Sequence, residues 1–180
     1  MPNVQMQTSL HGHRIGLGPN NELIVNQEKA GGLRDAVHLS WSIARGQLSS
    51  AEILALNGTP IEVIAAPGAG YAIIVDHAEF FLDYGTATYD EGAGEDLVLT
   101  YTDGSGIEVI NPVDGADFLG LAADAFAYSA GHVQADVQGF IPTANAAIVA
   151  FMKSGEVITG DGVVNYAVYY RRIATTLPAS

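Results

Sequence analysis

The chain has 180 residues, 48% of them hydrophobic, no cysteine and a formal net charge of −13 at pH 7. That is apolar material for one folded domain with an appended arm, and the lack of cysteine excludes disulfides, thiolate metal sites and cysteine nucleophiles. The charge is uneven: residues 1–50 carry four basic and three acidic groups, net +1, and residues 51–180 carry three and seventeen, net −14. A body this acidic repels phosphate backbones, which argues against a nucleic-acid partner. No apolar run reaches the roughly 18 residues that span a membrane, and MPNVQMQTSLHGHRIG lacks the apolar centre of a secretory signal.

In chain order, Val4–Leu10 alternates loosely. His13–Leu17 and Glu22–Val25 flank Gly18-Pro19-Asn20-Asn21, a hairpin pattern. Residues 27–48 show no clean period and read as a linker or an arm that orders on a partner, with a short helix over Leu33–Ala44 as the competing reading. Glu52–Leu56 (EILAL) reads as a strand ending at the turn dipeptide Asn57-Gly58. Strands are then expected over Ile61–Ala65, Tyr71–Asp83, Leu97–Thr102 and Ile107–Ile110, the last stopped by Asn111-Pro112. Asp114–Tyr128 carries helical spacing at Phe118, Leu121, Ala122 and Phe126 and is the expected helix. His132–Phe140 is a weak strand; Ala146–Met152 and Val163–Ile173 are strong ones. In the last, Val164, Tyr166, Val168 and Tyr170 share one face, the mark of a half-buried strand. Short strands at about ten-residue spacing with Gly-rich turns indicate a β-sandwich or barrel.

The motifs that invite chemistry resolve toward scaffold. Pro67-Gly68-Ala69-Gly70 lacks the Lys-Ser/Thr and following helix of a phosphate loop, and strand text follows it, so it reads as a turn. The acidic stretch 90–96 (DEGAGED) lacks EF-hand spacing and reads as a solvated loop, with a cation left open. His11 and His13 share a strand face but no third ligand is identifiable. Asp76 and His77, as strand neighbours, are expected to face opposite ways and form no dyad. No serine sits in a nucleophile elbow. The expectation is no enzyme, no cofactor and no metal.

Leu56–Tyr89 (LNGTPIEVIAAPGAGYAIIVDHAEFFLDYGTATY), Glu95–Gly106 (EDLVLTYTDGSG) and Ile158–Ile173 (ITGDGVVNYAVYYRRI), about a third of the chain, resemble a family of tailed-bacteriophage virion proteins, some of which decorate or cement capsids. The resemblance implies a jelly-roll-like antiparallel β-sandwich, with no catalytic residues to carry over. It also implies a place in the virion after assembly in the host cytoplasm. The major capsid protein or other virion proteins would be the partners, with homo-oligomers expected and neither nucleic acid nor membrane bound.

The resulting expectation is a mainly β protein with one short helix: an extended N-terminal arm over 1–49 and a sandwich over 50–180. Leu33, Val37, Leu39, Trp41 and Ile43 would supply apolar anchors for the partner, and Arg14, Arg34 and Arg45 would pair with its acids. The alternative is a receptor- or carbohydrate-binding module of a fibre or neck. Its sugar platform would draw on the eight tyrosines, most of which are expected in the core or at sheet edges.

Overall fold

The computed structural model describes residues 13–17, 23–29 and 32–38 by their backbone, and residues 41–90, 94–131 and 142–175 with their side chains. The chain divides into two compact units, 1–41 and 42–180.

In the first unit, β1 (His13–Leu17), β2 (Leu23–Lys29) and β3 (Gly32–His38) form an antiparallel meander. The register Leu17↔Leu23 closes the hairpin read from the Gly-Pro-Asn-Asn pattern. The competing helix over Leu33–Ala44 does not form, and the linker reading of 27–48 is overturned as well. Residues 32–38 pair with β2, and residues 42–48 form the strand β4 (Ser42–Leu48), paired with the last strand of the chain. Gly31-Gly32 disfavours a helix, and pairing to a neighbouring strand outweighs the weak local preference of such a segment.

The second unit is a mainly β sandwich of two antiparallel sheets with one short helix. One sheet has the order β4-β10-β6-β8, with β6 Tyr71–Asp83, β8 Ala125–Ala130 and β10 Val163–Ala174; the other has the order β5-β9-β7, with β5 Ile61–Ile64, β7 Leu97–Tyr101 and β9 Ile148–Met152. Between the sheets lies one core, where Phe80, Leu82, Val164 and Val168 of the first sheet belong to the same buried cluster as Leu97, Leu99, Ile148 and Met152 of the second. The alternation read in the last strand holds: Val164 and Val168 are fully buried, and Tyr166 and Tyr170 pack against the same core.

Two expectations fail for reasons visible in the local chemistry. EILAL is not a strand. It lies in and after helix α1 (Ser50–Leu54), where Ser49 and Glu52 form a capping box: the Glu52 carboxylate accepts from the Ser49 N–H at 2.7 Å, and Ser49 Oγ accepts from the Glu52 N–H at 3.4 Å. That Ser-x-x-Glu pattern satisfies two orphan helix donors and outweighs the apolar run that suggested a strand. Conversely, Asp114–Tyr128 makes only one turn. Asp114 Oδ1 accepts from the Ala116 and Asp117 N–H groups, and the Gly115 carbonyl accepts from Phe118, Leu119 and Gly120. Phe118 and Leu119 drop into the core there, and residues 125–130 then pair along the free edge of β6. Glycines 115 and 120 weaken a helix, whereas pairing with β6 satisfies the backbone without one. The weak strand over His132–Phe140 lies outside the described residues.

Pro67-Gly68-Ala69-Gly70 is the crossover from one sheet to the other. Gly68 and Gly70 have φ of 94° and 80°, conformations open to glycine. The Gly68 N–H donates to Asn145 Oδ1 at 3.0 Å, so a side chain occupies the donor that a phosphate would need.

Candidate docking surface

The four-stranded sheet has a second face, turned away from the core, and its register defines a grid of side chains. One row reads Gln47, Asn165, Phe81, Phe126 from β4 to β8; the next reads Arg45, Ala167, Glu79, Tyr128; the third reads Ile43, Tyr169, His77, Ala130. Large apolar side chains on this face stay in solvent. Phe126 is 62% exposed, Tyr128 60%, Phe81 42% and Ile43 40%. The small residues of β8, Ala125 and Ala127, face the core instead. The usual alternation is therefore inverted in this strand, with the aromatics outward.

The second and third rows are braced together across three strands. His77 stacks on Tyr169 with ring centroids 4.1 Å apart and on Tyr128 at 5.2 Å. The expectation that Asp76 and His77 point to opposite sides is overturned. The β10–β6 register slips between Tyr169 and Tyr170, pairing them with His77 and Val75 and leaving Asp76 as the extra residue of a β-bulge. The bulge turns both side chains outward, and Asp76 Oδ2 lies 2.9 Å from His77 Nδ1. The Asp76 carbonyl meanwhile accepts from the Gly131 N–H at 2.6 Å, and Gly131 has no room for a Cβ against the Val75 and Asp76 carbonyls. The pair orients the imidazole. The contact holds the ring against Tyr128 and Tyr169.

Of the residues expected to dock, Ile43 and Arg45 share the outward face of β4, which ends its sheet. Trp41, just ahead of β4, is 46% exposed. Arg14 lies on β1, and Leu33, Arg34 and Val37 lie on β3. Leu39 falls outside the described residues.

No family model matches the chain, and no curated protein does. A solved structure described as "Cyanophage Pam1 capsid asymmetric unit" is similar to it at 15% identity, over 80% of this chain and 96% of that one, with a TM-score of 0.42. A likeness at that level is too remote to carry an inference about fold or role.

Other motifs fall into place as joints of the scaffold. In Thr159-Gly160-Asp161-Gly162, the Asp161 carboxylate accepts from the Thr86 N–H at 2.7 Å, the Ala87 N–H at 2.9 Å and the Thr86 hydroxyl at 2.6 Å. Those bonds hold its carboxyl below the usual range, the Thr86 hydroxyl contributing most. Tyr89, buried beside Gly160, donates its hydroxyl to the Gly162 carbonyl at 2.6 Å. Burial, with the Asp161 charge, pushes the Tyr89 phenol up to about 12. Among the described residues, no group of three or more His, Cys, Asp or Glu is arranged to hold a metal ion, and no helix is long and apolar enough to cross a membrane. Asp90 spends its backbone on a bridge with Ile158.

The sequence reading missed Phe81 and Phe126 as surface residues, and named Tyr128 only among the eight tyrosines of the alternative reading. The signal was present in AFAYSA, where alanine alternates with aromatics at a period of two. A helix period across Phe118 and Phe126 masked it.

Proposed function

We infer that the chain is a structural protein of a tailed-phage virion, a decoration or cement protein that docks on the capsid shell and performs no catalysis. The observation that carries this reading is β4, an edge strand that displays Ile43 and Arg45 in solvent and follows the exposed Trp41. An edge strand offers unpaired backbone groups to a neighbour, and Trp and Arg are the side chains most often dominant in interfaces. The strand order supports the jelly-roll form of the reading. Successive strands alternate between the sheets, and the 107–113 segment adds to the outer side of β7 through bridges from Thr100 to Glu108 and from Leu97 to Val113. Seven strands and this bridged segment, in two such sheets, approach the eight-stranded architecture found in viral capsid and lectin domains, although the fold alone does not assign the role.

The carbohydrate reading asks for open tyrosine faces. Tyr89 and Tyr101 are buried, Tyr71 lies under the Arg172 guanidinium at 4.2 Å, and Tyr169 turns a ring face to His77. That arrangement favours the structural reading.

The test is co-sedimentation of the full chain with shells assembled without it, followed by imaging of the particles. Wild type is expected to sediment with the shells and add density. Trp41→Ala and Arg45→Glu are expected to weaken binding about 30-fold or more, the loss of roughly 2 kcal/mol that marks a hot spot. Wild-type protein that stays in the supernatant at saturating concentration sinks the reading.

A further inference from the structure

We propose that the outward face of the β4-β10-β6-β8 sheet is the contact between two copies of this chain, packed face to face about a two-fold axis parallel to the strands. The inference is independent of the virion reading.

Three observations meet on this face. Its apolar side chains are exposed and lie in adjacent rows, with Phe81 beside Phe126 in one and Tyr128 next in line on β8. A cluster of this kind is a usual sign of an interaction surface. Its framework is also braced, because the Tyr169–His77–Tyr128 stack ties β10, β6 and β8 together. A pre-organised surface loses less side-chain freedom on binding.

The charges choose the occupant. The sandwich has only four Lys and Arg among its described residues, Arg45, Lys153, Arg171 and Arg172, within a chain of net charge −13. Arg45 and Arg171 alternate onto this face from β4 and β10, while Asp76, Glu79 and Asp83 stand on β6. The face is thus basic along one half and acidic along the other. A uniformly acidic or uniformly basic partner meets repulsion from one half. A second copy, turned over about an axis between β10 and β6, lays β4 over β8 and β10 over β6, so each basic half meets an acidic half. Rotation about that axis keeps each row level. Arg45 of one copy then comes over the Tyr128 and Glu79 row of the other, as a cation against a ring and a carboxylate. Elsewhere on its surface a chain this acidic repels its copies, so the face is where attraction outweighs net charge.

The dimensions set the strength. Four strands about 4.8 Å apart and about 26 Å of strand make a face near 500 Å² once side chains are included, or roughly 1,000 Å² for two copies. That lies at the lower bound for a specific interface, the size class of weak, reversible association.

The experiment is analytical ultracentrifugation of the full-length chain from about 1 to 500 μM, alone and as variants. Wild type is expected to pass from monomer to dimer within that range. Arg45→Glu and Glu79→Arg are each expected to weaken self-association at least tenfold, because each gives the Arg45–Glu79 row, which faces itself across the axis, one sign. Mixed together, the two variants are expected to associate with one another, since the acidic row of one then meets the basic row of the other. Phe126→Ser, on the most exposed ring, is expected to weaken the dimer without changing the melting temperature by more than about 2 °C. Wild type monomeric throughout the range overturns the proposal. So do variants that self-associate like wild type, or single variants that ignore each other on mixing.

Discussion

Gly160→Ala separates two costs that the Thr-Gly-Asp-Gly joint holds together. Gly160 has φ of 90°, and a Cβ there would sit 2.4 Å from the ring of the buried Tyr89. The backbone conformation costs an L residue about 1–2 kcal/mol. Displacing a packed ring adds about 1–3 kcal/mol, so the substitution is expected to cost about 2–5 kcal/mol in all. Gly68→Ala is the control, since Gly68 has φ of 94° and nothing lies within 4 Å of its added Cβ. It pays the backbone cost alone, about 1–2 kcal/mol. Urea unfolding followed by tyrosine and tryptophan fluorescence reads both. With a slope of about 2 kcal/mol per molar, Gly160→Ala is expected to move the midpoint about 0.5–1.5 M further than Gly68→Ala. Equal shifts would show that the Tyr89 ring yields freely, and would refute the account of this joint as a rigid clasp.

Four further outcomes are expected. Tyr101→Phe removes a hydroxyl that donates to the Ile73 carbonyl in the core, and is expected to cost about 1–3 kcal/mol in the same urea assay. Ser49→Ala breaks the capping box of α1 and is expected to cost about 1 kcal/mol, read as a lower melting temperature. Tyr89 and Tyr101 are both raised to about 12, mainly by burial, so the folded state holds their protons more tightly than the unfolded chain does. Stability from these groups is complete below pH 10 and falls as the pH rises from there toward 12, measurable as phenolate absorbance appearing together with unfolding. Asp161 is held below the ordinary carboxylate value of 3.8, so its contribution is present above that pH and is lost as the pH falls below it. Asp161→Asn is expected to lower the melting temperature at pH 7 and to flatten the acid limb of its pH dependence.

The strands that face the core on one side were legible because burial imposes a period of two. Val164 and Val168 alternate with partly exposed neighbours, and a reader of residues alone can see it. The PGAG turn was legible because positive φ demands glycine. What stayed hidden depended on partners distant in the chain. Residues 42–48 carry no pattern of their own, and become a strand because β10 supplies a matching edge. Asp76 and His77 become a pair only because β10 slips register opposite them, which nothing local to the two residues announces. Ile43 and Arg45 were picked out for their chemistry, whereas their neighbours across the sheet could be named only from the register.

Two glycines show where large side chains lie down on the backbone of this sandwich. Gly46 sits on β4 where a Cβ would fall 2.3 Å from the Tyr166 hydroxyl, and Gly104 where it would strike the Phe151 ring at 2.3 Å. At both places a large side chain is folded down over a backbone instead of standing in solvent. The same option was open to β8, whose inward positions are filled by Ala125 and Ala127 while Phe126 and Tyr128 stand outside. Exchanging each aromatic with an adjacent alanine would turn the rings toward the core, and any overpacking there is expected to cost about 1–3 kcal/mol. The strand thus keeps its small side chains on the core and its apolar area on the open face. The same division is what leaves Phe126 and Tyr128 in solvent at 62% and 60%, an apolar area that marks an interaction surface more often than a bare one.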